Sequence, residues 1–135
     1  MEIDYIALFV SDVARSLIFY RDVLGFSFEK PAKPDGAEGY SGKLKIGIYD
    51  RSWLTKLFGD RGGQNINGQN GGERNVGVNP FLLSMTVDDL ELVYQQLCDR
   101  QANIISPPTL MTWGQKILFL NDPDGNILEI VQANN

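Results

Sequence analysis

The feature that most constrains this chain is that its two halves read alike. Setting Val10 on Val87 also sets Asp12 on Asp89, Leu17 on Tyr94 and Phe28 on Ile105, an offset of 77 positions. Each half runs strand, helix, strand, strand, strand. A repeat of this size points to two copies of one supersecondary unit sharing a sheet.

In the first half, Ile3 to Val10 is an apolar strand, and Ser11 or Asp12 can cap the helix that follows. Val13, Leu17, Tyr20 and Leu24 recur at helical spacing, and Gly25 is a natural terminator. Phe26 to Glu29 alternates like a strand, Pro31 to Gly39 is a polar loop, and Tyr40 to Tyr49 returns to strand character. A short amphipathic piece, Asp50 to Phe58, carries Trp53, Leu54, Leu57 and Phe58.

Gly59 to Val78 differs in kind: it holds seven of the 14 glycines, interleaved with asparagine and glutamine, and reads as a linker or lid. A phosphate-cradling loop is the weaker reading, because the Walker lysine and the strand–glycine–helix context are missing.

The second half repeats the order. Phe81 to Val87 is a strand, Asp88 or Asp89 a cap, and Leu90, Val93, Tyr94 and Leu97 a helical stripe. Ala102 to Ile105 is a short strand, and Pro107-Pro108 opens a loop to Thr112. Two closing strands, Ile117 to Leu120 and Ile127 to Val131, flank Asp122-Pro123-Asp124-Gly125-Asn126, where proline presets φ and glycine supplies positive φ. Glu129 interrupts the last apolar strand. The expected organisation is one domain over residues 1–135: a module over about 1–58, a Gly/Asn-rich linker over about 59–79 and a second module over about 80–135.

With 135 residues and 43% hydrophobic content the chain can bury a real core. A net charge of −5 without a basic stripe argues against nucleic acid. No apolar run has the length of a membrane span, and Met1-Glu2-Ile3-Asp4 lacks the basic start of a signal peptide. The lone Cys98 fits a reducing cytoplasm and reads as inert packing. Histidine is absent altogether. That removes Ser-His-Asp and Cys-His catalysis and the usual ligand of zinc, nickel or non-haem iron.

The opening Tyr5-Ile6-Ala7-Leu8-Phe9-Val10-Ser11-Asp12-Val13, the run Phe19-Tyr20-Arg21-Asp22-Val23-Leu24-Gly25-Phe26 and the closing Trp113-Gly114 … Asp122-Pro123-Asp124-Gly125-Asn126 … Glu129 carry a resemblance. They resemble the vicinal oxygen chelate superfamily, which includes glyoxalase I, extradiol dioxygenases, and fosfomycin and bleomycin resistance proteins. The resemblance covers nearly the whole chain and implies an α+β fold: two βαβββ modules forming a curved mixed sheet around a concave cavity. In metal-dependent members it implies histidines opening equivalent strands of the two modules and a glutamate in the last strand. Here those positions are Tyr5, Leu82 and Glu129, and the first-module counterpart of Glu129 falls near Gly47. Leucine and glycine side chains bind no metal, and a lone carboxylate does not hold a catalytic ion. The resemblance is therefore to a metal-free, bleomycin-resistance-like branch, with Glu129 the only remaining metal candidate and no cofactor expected.

What remains is the cavity. If Tyr5 faces the concave side, so do Ala7 and Phe9, since strand side chains alternate. Leu82, Ser84 and Thr86 face the same way, as does Glu129 with Ile127 and Val131. Trp53, Phe58, Met111 and Trp113 can form the rim. Tyr5, Phe9, Trp53, Leu82, Ser84, Thr86, Met111, Trp113 and Glu129 are thus the candidate ligand-binding residues of a mostly apolar pocket. Trp53 and Trp113 are at least as well suited to core or dimer packing. Tyr5 could instead fill the old metal space, and Glu129 could be a structural relic. A buried Glu129 requires a partner such as Tyr5, Lys45 or Arg51, or water. Asp12 and Asp89 read as helix caps, not catalytic acids.

The expected function is metal-independent small-molecule binding by sequestration or sensing, in a cytoplasmic homodimer. The rivals are a metal-dependent lyase, isomerase or dioxygenase using Glu129 with Tyr5 or other acids, and a structural or regulatory subunit with a collapsed cavity.

Overall fold

The computed structural model describes residues 1–57 and 81–134. The proposed linker and Phe58 lie outside them. The chain divides into two compact units, Met1–Val78 and Asn79–Asn135.

In the first unit, β1 (Tyr5–Val10) leads into α1 (Val13–Leu17), then β2 (Gly36–Ser41) and β3 (Leu44–Asp50). The sheet order is β1-β3-β2, with β1 parallel and β2 antiparallel to β3. Asp12 caps α1 by accepting from the Arg15 N–H. Beyond Leu17 the helix widens into a π segment, Ile18–Val23, and the Leu24 N–H reaches back five residues to the Phe19 carbonyl. The expected stripe Val13, Leu17, Tyr20, Leu24 shifts accordingly. Phe19 enters the core edge-on to Tyr20 with ring centroids 5.0 Å apart, while Leu24 is only half-buried. Gly25 ends the helix at φ 84°.

Three boundaries differ from the sequence reading. The expected strand at Phe26 to Glu29 reduces to a single bridge, Ser27 against Tyr40. The expected loop at Pro31 to Gly39 already contains the start of β2. The expected strand at Tyr40 to Tyr49 is a hairpin folded at Gly42, where φ is +58°. Lys43 and Leu44 look like strand in a local window. The turn is set by the antiparallel register, which matches Ala37 with Ile48 and so buries both. A helical stretch, α2, follows at 52–57.

The second unit repeats the plan with β4 (Leu83–Val87), α3 (Leu90–Asp99), β5 (Asn103–Leu110), β6 (Lys116–Asn121) and β7 (Ile127–Gln132), in the order β4-β7-β6-β5. Asp89 caps α3 through the Leu92 N–H, as Asp12 caps α1. β5 runs through Pro107-Pro108 instead of stopping there. Its register slips between Ile104 and Ser106 and again between Ser106 and Thr109, which accommodates the prolines on an edge strand. Between β6 and β7, the buried Asp122 carboxylate accepts from the backbone N–H of Asp124 and Asn126 and from the Asn126 side chain.

The architecture is α+β. Among the described residues the strands form a three-stranded sheet in the first unit and a four-stranded sheet in the second. In each unit one sheet face packs on helix: Val10, Ile46 and Ile48 in the first, Leu118, Leu120, Leu128 and Ile130 in the second. No helix among the described residues is long and apolar enough to cross a membrane.

Candidate functional site

The face of the first sheet turned away from α1 carries Tyr5, Ala7 and Phe9 from β1, Lys45, Gly47 and Tyr49 from β3, and Glu38 and Tyr40 from β2. Alternation fixes this set, since the intervening Ile46 and Ile48 are buried on the helix side. Tyr5, Ala7, Phe9 and Tyr49 join Trp53 and Leu57 of α2 around a pocket of about 290 Å³.

Gly47 is the hinge of the arrangement. It pairs with Ala7 on one side and Glu38 on the other. A Cβ at Gly47 would collide with the Tyr5 hydroxyl and the Tyr49 ring. One at Gly36 would sit 2.7 Å from the other edge of the Tyr49 ring. Tyr49 is therefore bedded between two glycines.

From there its hydroxyl donates to Glu38 Oε2 at 2.6 Å and lies 2.7 Å from the Tyr5 hydroxyl. With the Tyr49 O–H directed at Glu38, Tyr5 is the donor in that second bond. Tyr5 also stands 3.4 Å from Glu38 Oε2. The result is a chain, Tyr5 to Tyr49 to carboxylate, at the polar edge of an apolar pocket. Lys45 Nζ lies 3.6 Å from Glu38 Oε1 and 5.8 Å from the Tyr5 ring centroid.

The hydrogen bond from Tyr49, helped by Lys45 and Tyr5 and opposed by partial burial, holds the Glu38 carboxyl below the usual carboxylate range. Burial, then the bond to Glu38, pushes the Tyr49 phenol well above the usual tyrosine range.

The aromatic wall is continuous. Phe9 and Tyr49 have centroids 6.3 Å apart, and Tyr49 and Trp53 6.2 Å apart at 63°. Lys56 Nζ stands 4.6 Å from the Trp53 ring centroid. The Trp53 indole N–H is buried and has no hydrogen-bond partner among the described residues.

The second sheet also leaves a pocket, about 360 Å³ lined by Phe81, Leu82, Ile105, Phe119 and Ile127. These are all hydrocarbon side chains with nothing to orient a ligand. Glu129 is half-buried on β7 between Ser84 of β4 and Phe119 of β6. Among the described residues its side chain makes no hydrogen bond or ion pair. Two of its expected partners, Tyr5 and Lys45, are engaged with Glu38 instead.

Of the residues singled out from sequence, Tyr5, Phe9 and Trp53 meet in the first-module pocket and Leu82 lines the second-module pocket. Ser84 and Thr86 are exposed on β4. Met111 and Trp113 lie in the turn before β6, where Trp113 donates to Gln115 and is 66% exposed. Glu38 and Tyr49 were absent from that set. Glu38 was hidden in the segment read as loop, and the available signal was a glycine at the counterpart of Glu129 with tyrosines at 5 and 49.

The family model of the Glyoxalase/Bleomycin resistance protein/Dioxygenase superfamily matches residues 2–130. The chain belongs to this superfamily. It is 25% identical over 132 residues to the uncharacterized protein YraH of Bacillus subtilis, a match covering 96% of this chain and 97% of that one. A solved protein of unknown function from Agrobacterium tumefaciens superposes with a TM-score of 0.73 at 23% identity, covering 99% of this chain and 95% of the other. A lactoylglutathione lyase from the same organism superposes with a TM-score of 0.71 at 17% identity, covering 98% and 93%. At such identities the solved structures show the superfamily fold and nothing finer.

The metal site that the superfamily implies does not fit the residues present. In the first module the Tyr5 phenol is committed to Tyr49 and Glu38, and Gly47 offers no side chain. In the second, Leu82 stands where a ligand would be needed, and of the two implied positions only Glu129 carries a donor. No three of His, Cys, Asp and Glu cluster as a cation cage among the described residues.

Proposed function

We propose that this protein is a metal-independent small-molecule binding member of the superfamily, acting by sequestration or sensing through its first-module pocket. The observation that carries the reading is the hydroxyl–carboxylate chain Tyr5–Tyr49–Glu38 at the edge of an otherwise apolar, aromatic-walled pocket. Pockets that bind small molecules combine apolar walls with a few fixed polar groups, and this one has that composition. The chain orients a ligand without a metal, because both phenols and the carboxylate are held by each other.

Open pockets on both sheets speak against the collapsed-cavity alternative. The reading takes the protein as a homodimer, as the family resemblance implies, and as cytoplasmic, as its lone cysteine suggests.

The test is a thermal-shift screen of EDTA-treated protein against a small-molecule library and against Ni²⁺, Zn²⁺, Mn²⁺ and Fe²⁺. Compounds that raise the melting temperature without metal, and are recovered chemically unchanged, support the proposal. Compounds that stabilise the protein only after one metal is restored, or that are converted to product, overturn it. A ligand at a hundred times its Kd adds about 2.7 kcal/mol of stability, well within reach of the measurement.

A further inference from the structure

We propose that the first-module pocket selects a compact, apolar molecule bearing a protonated amine; this rests on the reading that the pocket binds small molecules. Three independent observations point to that chemistry.

The first is the direction of the hydrogen bonds. Tyr49 donates a hydrogen bond to Glu38, which leaves the Tyr5 hydroxyl as the donor in the Tyr5–Tyr49 pair. The Tyr5 oxygen is left as an acceptor at the pocket edge, polarised by a chain that ends on a carboxylate. An N–H donor on the ligand satisfies it, and a carboxylate or phosphate does not.

The second is the wall. Tyr5, Phe9, Tyr49 and Trp53 present aromatic rings to one space, and the faces of such rings carry partial negative charge that attracts an ammonium.

The third is that two of these rings already hold cations of the chain itself. Lys45 stands over Tyr5 and Lys56 over Trp53. Lys45 is also the resident counter-ion of Glu38, at 3.6 Å and with both side chains well exposed. A pair so long and so open contributes little, so a ligand ammonium can take its place. The volume of about 290 Å³ limits the guest to roughly one ring with a short arm.

The experiment is calorimetric titration of the full chain with three probes of one shape: phenethylammonium, 2-phenylethanol and phenylacetate. The amine is expected to bind about tenfold more tightly than the alcohol, and the acid more weakly than either. Glu38→Gln and Tyr5→Phe, each tested separately, should bring the amine down towards the alcohol. Lys45→Met, which removes the competing cation, should tighten the amine.

An alcohol that binds as well as the amine, or an amine preference that survives in both Glu38→Gln and Tyr5→Phe, overturns the amine assignment while leaving the pocket as a binding site. Failure of all three probes to bind at millimolar concentration overturns the binding reading as well.

Discussion

Glu38 and Gly47 face each other across the β2–β3 ladder, and the missing side chain of Gly47 is what lets Tyr49 and Tyr5 converge on the Glu38 carboxylate. The second module shows the converse. Glu129 occupies the position equivalent to Gly47, and the aromatic Phe119 occupies the one equivalent to Glu38. Between the two modules the carboxylate has moved by one strand. In the first it is tied to phenols; in the second it stands beside a ring.

Gly47→Ala should destabilise the first module by about 1–3 kcal/mol, because the added methyl meets the Tyr49 ring and the Tyr5 hydroxyl. Denaturant unfolding measures the loss. Adding Tyr5→Phe to Gly47→Ala should cost less than Tyr5→Phe in the wild type, since the alanine has already displaced that hydroxyl.

Glu38 makes stability depend on acid pH. Its pKa is lower folded than unfolded, so its contribution is complete above the unfolded glutamate value and disappears as the pH falls through the folded one. Wild type should lose stability on acidification more steeply than Glu38→Gln, read from melting temperatures across that range.

Tyr49 acts at the other end. Its pKa is higher folded than unfolded, so its contribution is complete below the unfolded tyrosine value of about 10 and fades as the pH rises beyond it. Tyrosinate absorbance should show that Tyr49→Phe deletes a phenol that resists ionisation until the fold opens. Loss of an early-titrating phenol instead would place Tyr49 outside the hydrogen-bonded chain.

Asp122→Ala should cost the second module about 2–3 kcal/mol, because two backbone N–H groups and the Asn126 amide lose their common acceptor. Asp12→Ala and Asp89→Ala, which remove single cap bonds, should each cost about 1 kcal/mol. Comparative unfolding of the three variants checks the ranking.

Much of the fold was legible because it is written locally and twice. Asp12 and Asp89 cap their helices, alternation places Tyr5, Ala7 and Phe9 on one face, and the counterpart of Glu129 is Gly47, as the aligned ladders Ala7–Gly47 and Ser84–Glu129 confirm. The anchor was not legible, because it depends on a non-local register. Glu38 looks like loop until the hairpin sets it opposite Gly47, and Tyr49 looks like the end of a strand until Gly36 and Gly47 make room for its ring. The π segment after Leu17 was equally hidden, since Phe19 and Tyr20 fit an α-helical pattern almost as well.

The most direct test is an amide and indole NMR titration of EDTA-treated protein with phenethylammonium and, in parallel, with 2-phenylethanol. Shifts should map to Ala7, Phe9, Tyr49 and the Trp53 indole N–H, and adding Ni²⁺ or Zn²⁺ should leave them unchanged. Shifts that appear only with metal, or that gather around Glu129 and Ser84 instead, would contradict the account.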